Sequence, residues 1–246
     1  MQDGVLLFIA VVFTLAGFVK GVIGLGLPTI AMGLLALVMA PVQAATLLVV
    51  PSLLTNVWQM WSGPSLTAVI ARLWPMMFAV CIGTWAAAGL MTGAYAPRMT
   101  AVLGLALALY ALSGLMTVPI KVSRRHEWWL GPVAGAVTGV IAGGTGVFVI
   151  PAVPYLQAIG LEKDNLVQAL GLSFTVSTLA LAANVARAGA LNVSILGPTS
   201  IAVAAAVGAM WLGQYLRSRL DPPVFRRWFF VGLAALGVYL MAGAFL

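Results

Sequence analysis

The sequence predicts an all-α polytopic membrane protein built from two inverted repeats, each a broken, re-entrant hairpin-like glycine-rich helix followed by three transmembrane helices. Three observations predict it. The 246 residues are 63% hydrophobic and only 7% charged, with a mean hydropathy of +1.11, more apolar surface than a soluble core of this size can hide. The apolar runs are continuous, near the ~20 residues a helix needs to cross a bilayer, and lack the alternation of a β-barrel. A glycine-rich segment occurs twice, as "AGFVKGVIGLG" from Ala16 and "AGAVTGVIAGG" from Ala134, identical at seven of eleven positions.

The first apolar run, 4–39, is too long for one crossing. Its middle carries "GVIGLGLP", Gly21 to Pro28, where glycine weakens a helix and proline removes a donor, so the helix is expected to break there. The run opens with Asp3, has no basic n-region and no small-residue cleavage site, and reads as a retained helix. Runs 42–62, 66–91 and 98–118 each fit one crossing. The fifth run, 128–160, is again overlong and carries "GVIAGGTG", Gly139 to Gly146; runs 165–186, 190–215 and 224–245 are single crossings. "VQA" at Val42 recurs at Val167, and the added residues fall in the "GLEKDN" loop. The repeats are therefore 1–120 and 121–246, within one membrane domain.

Loop charges orient the chain. With each overlong run a hairpin, Arg72, Lys121, Arg124, Arg125, Lys163, Arg217, Arg219, Arg226 and Arg227 share one face, and only Arg98 and Arg187 lie on the other. The positive-inside rule makes the nine-cation face cytoplasmic and sets both termini on the opposite side of the membrane. Three crossings plus a hairpin per half make the second half inverted relative to the first. The competing arrangement, eight simple crossings, sets Arg217 to Arg227 opposite the Lys121 loop and loses the bias.

Several functions are excluded. One cysteine, Cys81, and one histidine, His126, leave no intrachain disulfide and no metal cluster. The net charge of +7 is dispersed over short loops, which serves orientation and not nucleic-acid binding. No HExxH, nucleophile elbow or paired carboxylate is present, so neither an enzyme nor a cofactor is expected. All five carboxylates, Asp3, Glu127, Glu162, Asp164 and Asp221, fall in loops or at run ends, leaving no intramembrane proton relay. The tryptophans lie mostly near run ends, as interfacial belts do, and the methionines read as packing.

The paired motifs "VIGLGLPTIAMG" and "VIAGGTGVFVIP", in a chain of this length, resemble the TauE/SafE-type sulfite exporter family, within the 4-toluene sulfonate uptake permease superfamily. The resemblance covers nearly the whole chain. It implies a bacterial inner-membrane transporter, usually an exporter, of small sulfur-containing anions such as sulfite, thiosulfate, sulfoacetate or other organosulfonates. The second motif fits the family pattern through Gly143, Gly144, Gly146 and Pro151. The first departs from it with Leu25, Leu27, Pro28 and Gly33, so the half-sites are not expected to be equivalent.

The substrate is expected between the two broken helices near the membrane midplane. A helix start there leaves unpaired N–H groups and a partial positive charge, both suited to an anion. Glycine permits close approach and positive φ, which nominates Gly24, Gly26, Gly143, Gly144, Thr145 and Gly146. Glycines can equally serve close helix packing, the reading adopted for Gly17/Gly21 and Gly135/Gly139. Lys20 is the only charge well inside an apolar run, at about 2.5–3.5 kcal/mol on insertion scales. It either binds the anion or snorkels to water; its repeat mate is the neutral donor Thr138. Asn56 and Gln59 in the first half, and Ser173, Thr175, Ser177, Thr178 and Asn184 in the second, complete the candidate lining. The alternatives are an anion channel of the same architecture, a transporter of another small carboxylate or oxyanion, and an oligomeric assembly, on which the sequence is silent.

Overall fold

A computed structural model describes residues 2–116, 121–190, 195–217 and 219–243. The predicted repeat boundary after residue 120 and the predicted run ends at 118 and 245 lie outside them. Ten α-helices follow in chain order: α1 (Gln2–Ile23), α2 (Leu27–Leu35), α3 (Pro41–Trp61), α4 (Leu66–Ala86), α5 (Ala96–Leu115), α6 (Arg124–Thr145), α7 (Ala152–Ala158), α8 (Lys163–Arg187), α9 (Leu196–Leu216) and α10 (Pro222–Gly243). Among the described residues no strand occurs, and seven helices are long and apolar enough to cross a bilayer: α1, α3, α4, α5 with its preceding 3-10 turn, α8, α9 and α10. Helix α6 is as long as α1, but its charged first turn and many glycines dilute its hydropathy.

Both overlong runs turn back on themselves. Val38 and Met39 share a cavity wall with Val5 and Ile9, so the chain returns after α2 to the level at which α1 began. In the second half Val122 N–H donates to the Ala158 carbonyl (2.8 Å), and Arg72 bonds both Glu127, in the first turn of α6, and the Ile159 carbonyl. The expected position of the breaks needs correction. A 22-residue helix rises about 33 Å, so in each half the reversal follows a full-length helix and does not divide one in its middle.

Packing pairs each helix with a defined neighbour. Gly17 and Gly21 of α1 lie against the backbone of Ala206 and Met210, so α1 and α9 run parallel. In the same way Gly135 and Gly139 of α6 lie against Met76 and Val80 of α4. Helices α3 and α8 are antiparallel, since Gln59 reaches Val167 while Ser52 reaches Thr178, and Gly104 facing Gly237 makes α5 and α10 antiparallel. These directions gather Lys121, Arg124, Arg125, Lys163, Arg217, Arg219, Arg226 and Arg227 at one end of the bundle, here the basic end. Exposed Trp58, Trp61, Trp128, Trp211 and Trp228 surround that end, as in an interfacial belt. Exposed Leu7, Phe78, Ile82, Leu109 and Val238 give the outer faces the apolar character of a lipid-facing surface.

The glycine contacts have a measurable consequence. A side chain at Gly139 points into the Val80 carbonyl and the Thr84 backbone, which cannot yield as a flexible side chain does. Gly139→Leu is expected to destabilise by about 3 kcal/mol, the upper range for overpacking. Thermal unfolding followed by size-exclusion fluorescence checks this, and an unchanged melting temperature would contradict so close a contact.

Candidate functional site

The α1–α2 reversal is built by three residues. Gly24 (φ 77°) and Gly26 (φ 109°) adopt left-handed backbone that other residues resist, and Pro28 enters the first turn of α2, where its missing N–H is harmless. The Gly24 N–H closes the last turn of α1 on the Lys20 carbonyl (2.8 Å), and the Gly26 carbonyl accepts from Thr29 Oγ1 (2.9 Å). Nothing lies within 4 Å of where a Gly24 side chain would project. The backbone there borders open space, unlike the glycines clamped between helices.

Lys20 sits one turn before this reversal and is only 3% exposed. Its Nζ donates to Thr55 Oγ1 (3.0 Å) and to Asn56 Oδ1, both on α3. Asn56 Nδ2 donates onward to Ser52 Oγ (3.0 Å) and Thr178 Oγ1 (3.3 Å). The Thr178 proton is committed to the Phe174 carbonyl (2.6 Å) and the Thr55 proton to Pro51 or Ser52 carbonyls, which leaves both hydroxyls as acceptors. The chain of bonds thus carries Lys20 from α1 through α3 to α8, and every acceptor in it is neutral. Among the described residues the single ion pair is Arg72–Glu127, far from this network in sequence and on other helices.

Such a cation is incompletely satisfied. An ammonium has three donors, of which the described hydrogen bonds use two, and dipoles do not replace a counter-charge in an apolar interior. Five buried hydroxyls have no partner among the described residues, those of Tyr110, Thr138, Ser173, Ser177 and Thr199, of which Thr138, Ser173 and Ser177 are expected site residues. Ser173 and Ser177 are one turn apart on α8 and so share a face, whereas Thr175 and Thr178 spend their protons on carbonyls one turn back. No described hydrogen bond joins Thr138, Ser173 or Ser177 to Lys20, whose network reaches α8 at Thr178.

The remaining expected residues divide. Gln59 is brought to the reversal, donating to the Gly24 carbonyl (3.3 Å) and to Val167 (3.1 Å). Asn184 instead donates to the Thr84 carbonyl (2.6 Å). Gly143 and Gly144 do not form the expected nest; they lie inside α6, where a side chain would meet Thr84 and Ala87 in one case and Met99 in the other. Thr145 bonds the Ile141 carbonyl, and Gly146 (φ 73°) ends the helix beside Met32. Since α6 runs with α4 and α8, and α1 against them, the two reversals lie toward opposite ends of the bundle. Ser52 and Thr55 were not among the expected residues. Extending the register that aligns the two "VQA" segments places Ser52 over Ser177, and that signal was available in the sequence.

A family model described as sulfite exporter TauE/SafE matches residues 9–240. The chain belongs to the TauE/SafE sulfite exporter family. No curated protein and no solved structure matches it. This TauE/SafE protein is therefore an integral membrane protein of a transporter family, and the buried cation lies within the matched region.

Proposed function

We propose that this protein exports a small sulfur-containing anion, such as sulfite, thiosulfate, sulfoacetate or another organosulfonate, and binds it at Lys20. The observation that carries the reading is a lysine 3% exposed, held by neutral oxygens alone, in a member of a sulfite exporter family. Asn56 orients the ammonium and links it to Ser52 and Thr178, while Ser173, Ser177 and Thr138 offer unspent donors. Gly24 and Gly26 let backbone N–H groups approach the same ligand from the reversal.

The two halves act as inverted repeats. Support comes from matched contacts: α1 on α9 is answered by α6 on α4, with Gly17 and Gly21 answered by Gly135 and Gly139. Antiparallel α3 and α8 then flank the pseudo-two-fold axis, and the occluded cation beside them favours a carrier that alternates access over an open pore. The basic end faces the cytoplasm of a bacterial cell, with the termini periplasmic.

Flux assays in proteoliposomes loaded with sulfite, thiosulfate or sulfoacetate test the reading; efflux of none of them, with correctly folded protein, overturns it. With no intramembrane carboxylate for proton coupling, the membrane potential drives export. An inside-negative potential favours monoanion exit by roughly 2.3 kcal/mol per 100 mV. Imposing it with valinomycin and a potassium gradient is expected to accelerate efflux several-fold, and rates indifferent to voltage would refute the uniport.

A further inference from the structure

A cavity of about 760 Å³ opens at the basic end, lined by Val22 and Ile23 at the close of α1, by Gly114 and Leu115 at the close of α5, and by Arg217, Arg226 and Arg227. We infer that this cavity is a second anion site, one that holds an oxyanion group between three guanidinium side chains at the mouth of the route to Lys20. This deepens the proposed export function and rests on it for the direction of travel.

Three exposed guanidinium groups around one concavity make it attractive to an anion, and none is ion-paired among the described residues. Arg226 is held in place. Its Nη2 donates to the Gly114 carbonyl (3.4 Å), and its guanidinium lies 5.5 Å from the Phe230 ring centre. Guanidinium forks match the paired oxygens of a sulfonate, sulfite or phosphate group better than a point charge does. The placement is also specific. Val22 and Ile23 directly precede Gly24, whose outward side is open, and Lys20 lies one turn further in.

The fold does not require these charges. Aligning the halves in sequence by the pairs Gly83 with Gly213 and Gly104 with Gly237 puts Ala87, Gly93 and Ala94 at the corresponding positions. Orientation in the membrane needs only basic residues somewhere in this loop; it does not explain why three converge on one cavity. The oxyanion has two sources, a free cytoplasmic substrate or the phosphate of an anionic phospholipid, and the same chemistry binds either.

The test uses the full chain with all three arginines changed to glutamine, and a second variant with all three changed to lysine, which preserves loop charge and membrane orientation. In nanodiscs of zwitterionic lipid alone, the glutamine variant is expected to weaken sulfite binding about tenfold. In liposomes of the same lipid it raises the efflux KM similarly with kcat within twofold, and the lysine variant falls between. If phospholipid is the occupant, KM is unchanged, but native mass spectrometry shows the glutamine variant losing bound phosphatidylglycerol that the wild type and lysine variant retain. Unchanged sulfite affinity together with unchanged phosphatidylglycerol retention overturns the site. Failure of the export reading is distinguishable, because wild-type protein then moves no sulfur anion at all while the lipid measurement still reports on the cavity.

Discussion

Replacing Lys20 with methionine is expected to abolish anion export while raising thermal stability. The two effects have opposite signs because they arise from different states. In the empty protein, Lys20 is a buried charge with neutral partners, and on insertion scales such a charge costs about 2.5–3.5 kcal/mol. Methionine fills a similar volume without that charge. Thr55 still bonds the Pro51 and Ser52 carbonyls and Asn56 Nδ2 still reaches Ser52 and Thr178, so the acceptor left without a donor is Asn56 Oδ1. Leaving the buried Asn56 Oδ1 without a donor costs about 1–3 kcal/mol, and the net expectation is a gain near 1 kcal/mol, visible as a higher melting temperature. In the loaded protein the lost interaction is charge-assisted, about 1.5–3 kcal/mol, or roughly a 10- to 150-fold loss of affinity. If Lys20 served only to fasten α1 to α3, the variant would melt lower and still bind sulfite. Lys20→Arg is expected to retain the charge but not the geometry, since the planar fork cannot occupy the pocket between Thr55 and Asn56 as a compact ammonium does.

How far the sequence reaches depends on whether a feature is local. The two reversals could be read from it because glycine and proline act on the backbone where they stand: Gly24, Gly26 and Gly146 do adopt positive φ. Their depth could not, because the same residue type serves two ends. Gly143 and Gly144 lie in an unbroken helix, the first admitting Thr84 of α4 and the second Met99 of α5, and only neighbours more than 40 residues away in the chain decide that. Lys20 and Asn56 were singled out for polarity in apolar runs, and they do meet. Ser52 and Thr55 were passed over, since a hydroxyl in a membrane helix usually bonds its own backbone, and here Thr55 does so while also receiving Lys20. The functional difference between the halves is likewise invisible locally: Lys20 has partners, whereas Thr138, in the matching place, has a buried hydroxyl with none among the described residues.

The second large effect is expected at Gln168. Gln168 is fully buried; its Nε2 donates to the Met60 and Gly63 carbonyls (2.8 and 3.0 Å) and its Oε1 accepts from Ser65 N–H (2.9 Å). It thereby ties the start of α8 to the end of α3 across the basic end. Gln43, its mate in the proposed repeat, makes no such tie among the described residues; its Oε1 accepts from Ala40 N–H (3.2 Å) and caps its own helix. On the proposed inverted repeat, a contact made by one half in one state is made by its mate in the other, which assigns the bonds of Gln168 to a form closed at the basic end. Gln168→Leu removes three hydrogen bonds from that form alone, about 2–4 kcal/mol together, enough to shift the balance of states roughly 30- to 1,000-fold. A cysteine in place of Ser173, buried on α8, reports the shift in a Cys81→Ser background. Membrane-impermeant maleimide applied from the basic side is expected to label it slowly in the parent and much faster in the Gln168→Leu protein, whose export is slowed because the closed form is no longer reached. The corresponding Gln43→Leu change leaves this closed form intact and is expected to label at the parental rate. Equal labelling of all three would mean that Gln168 fastens two helices that never part, and the gate would have to be sought elsewhere.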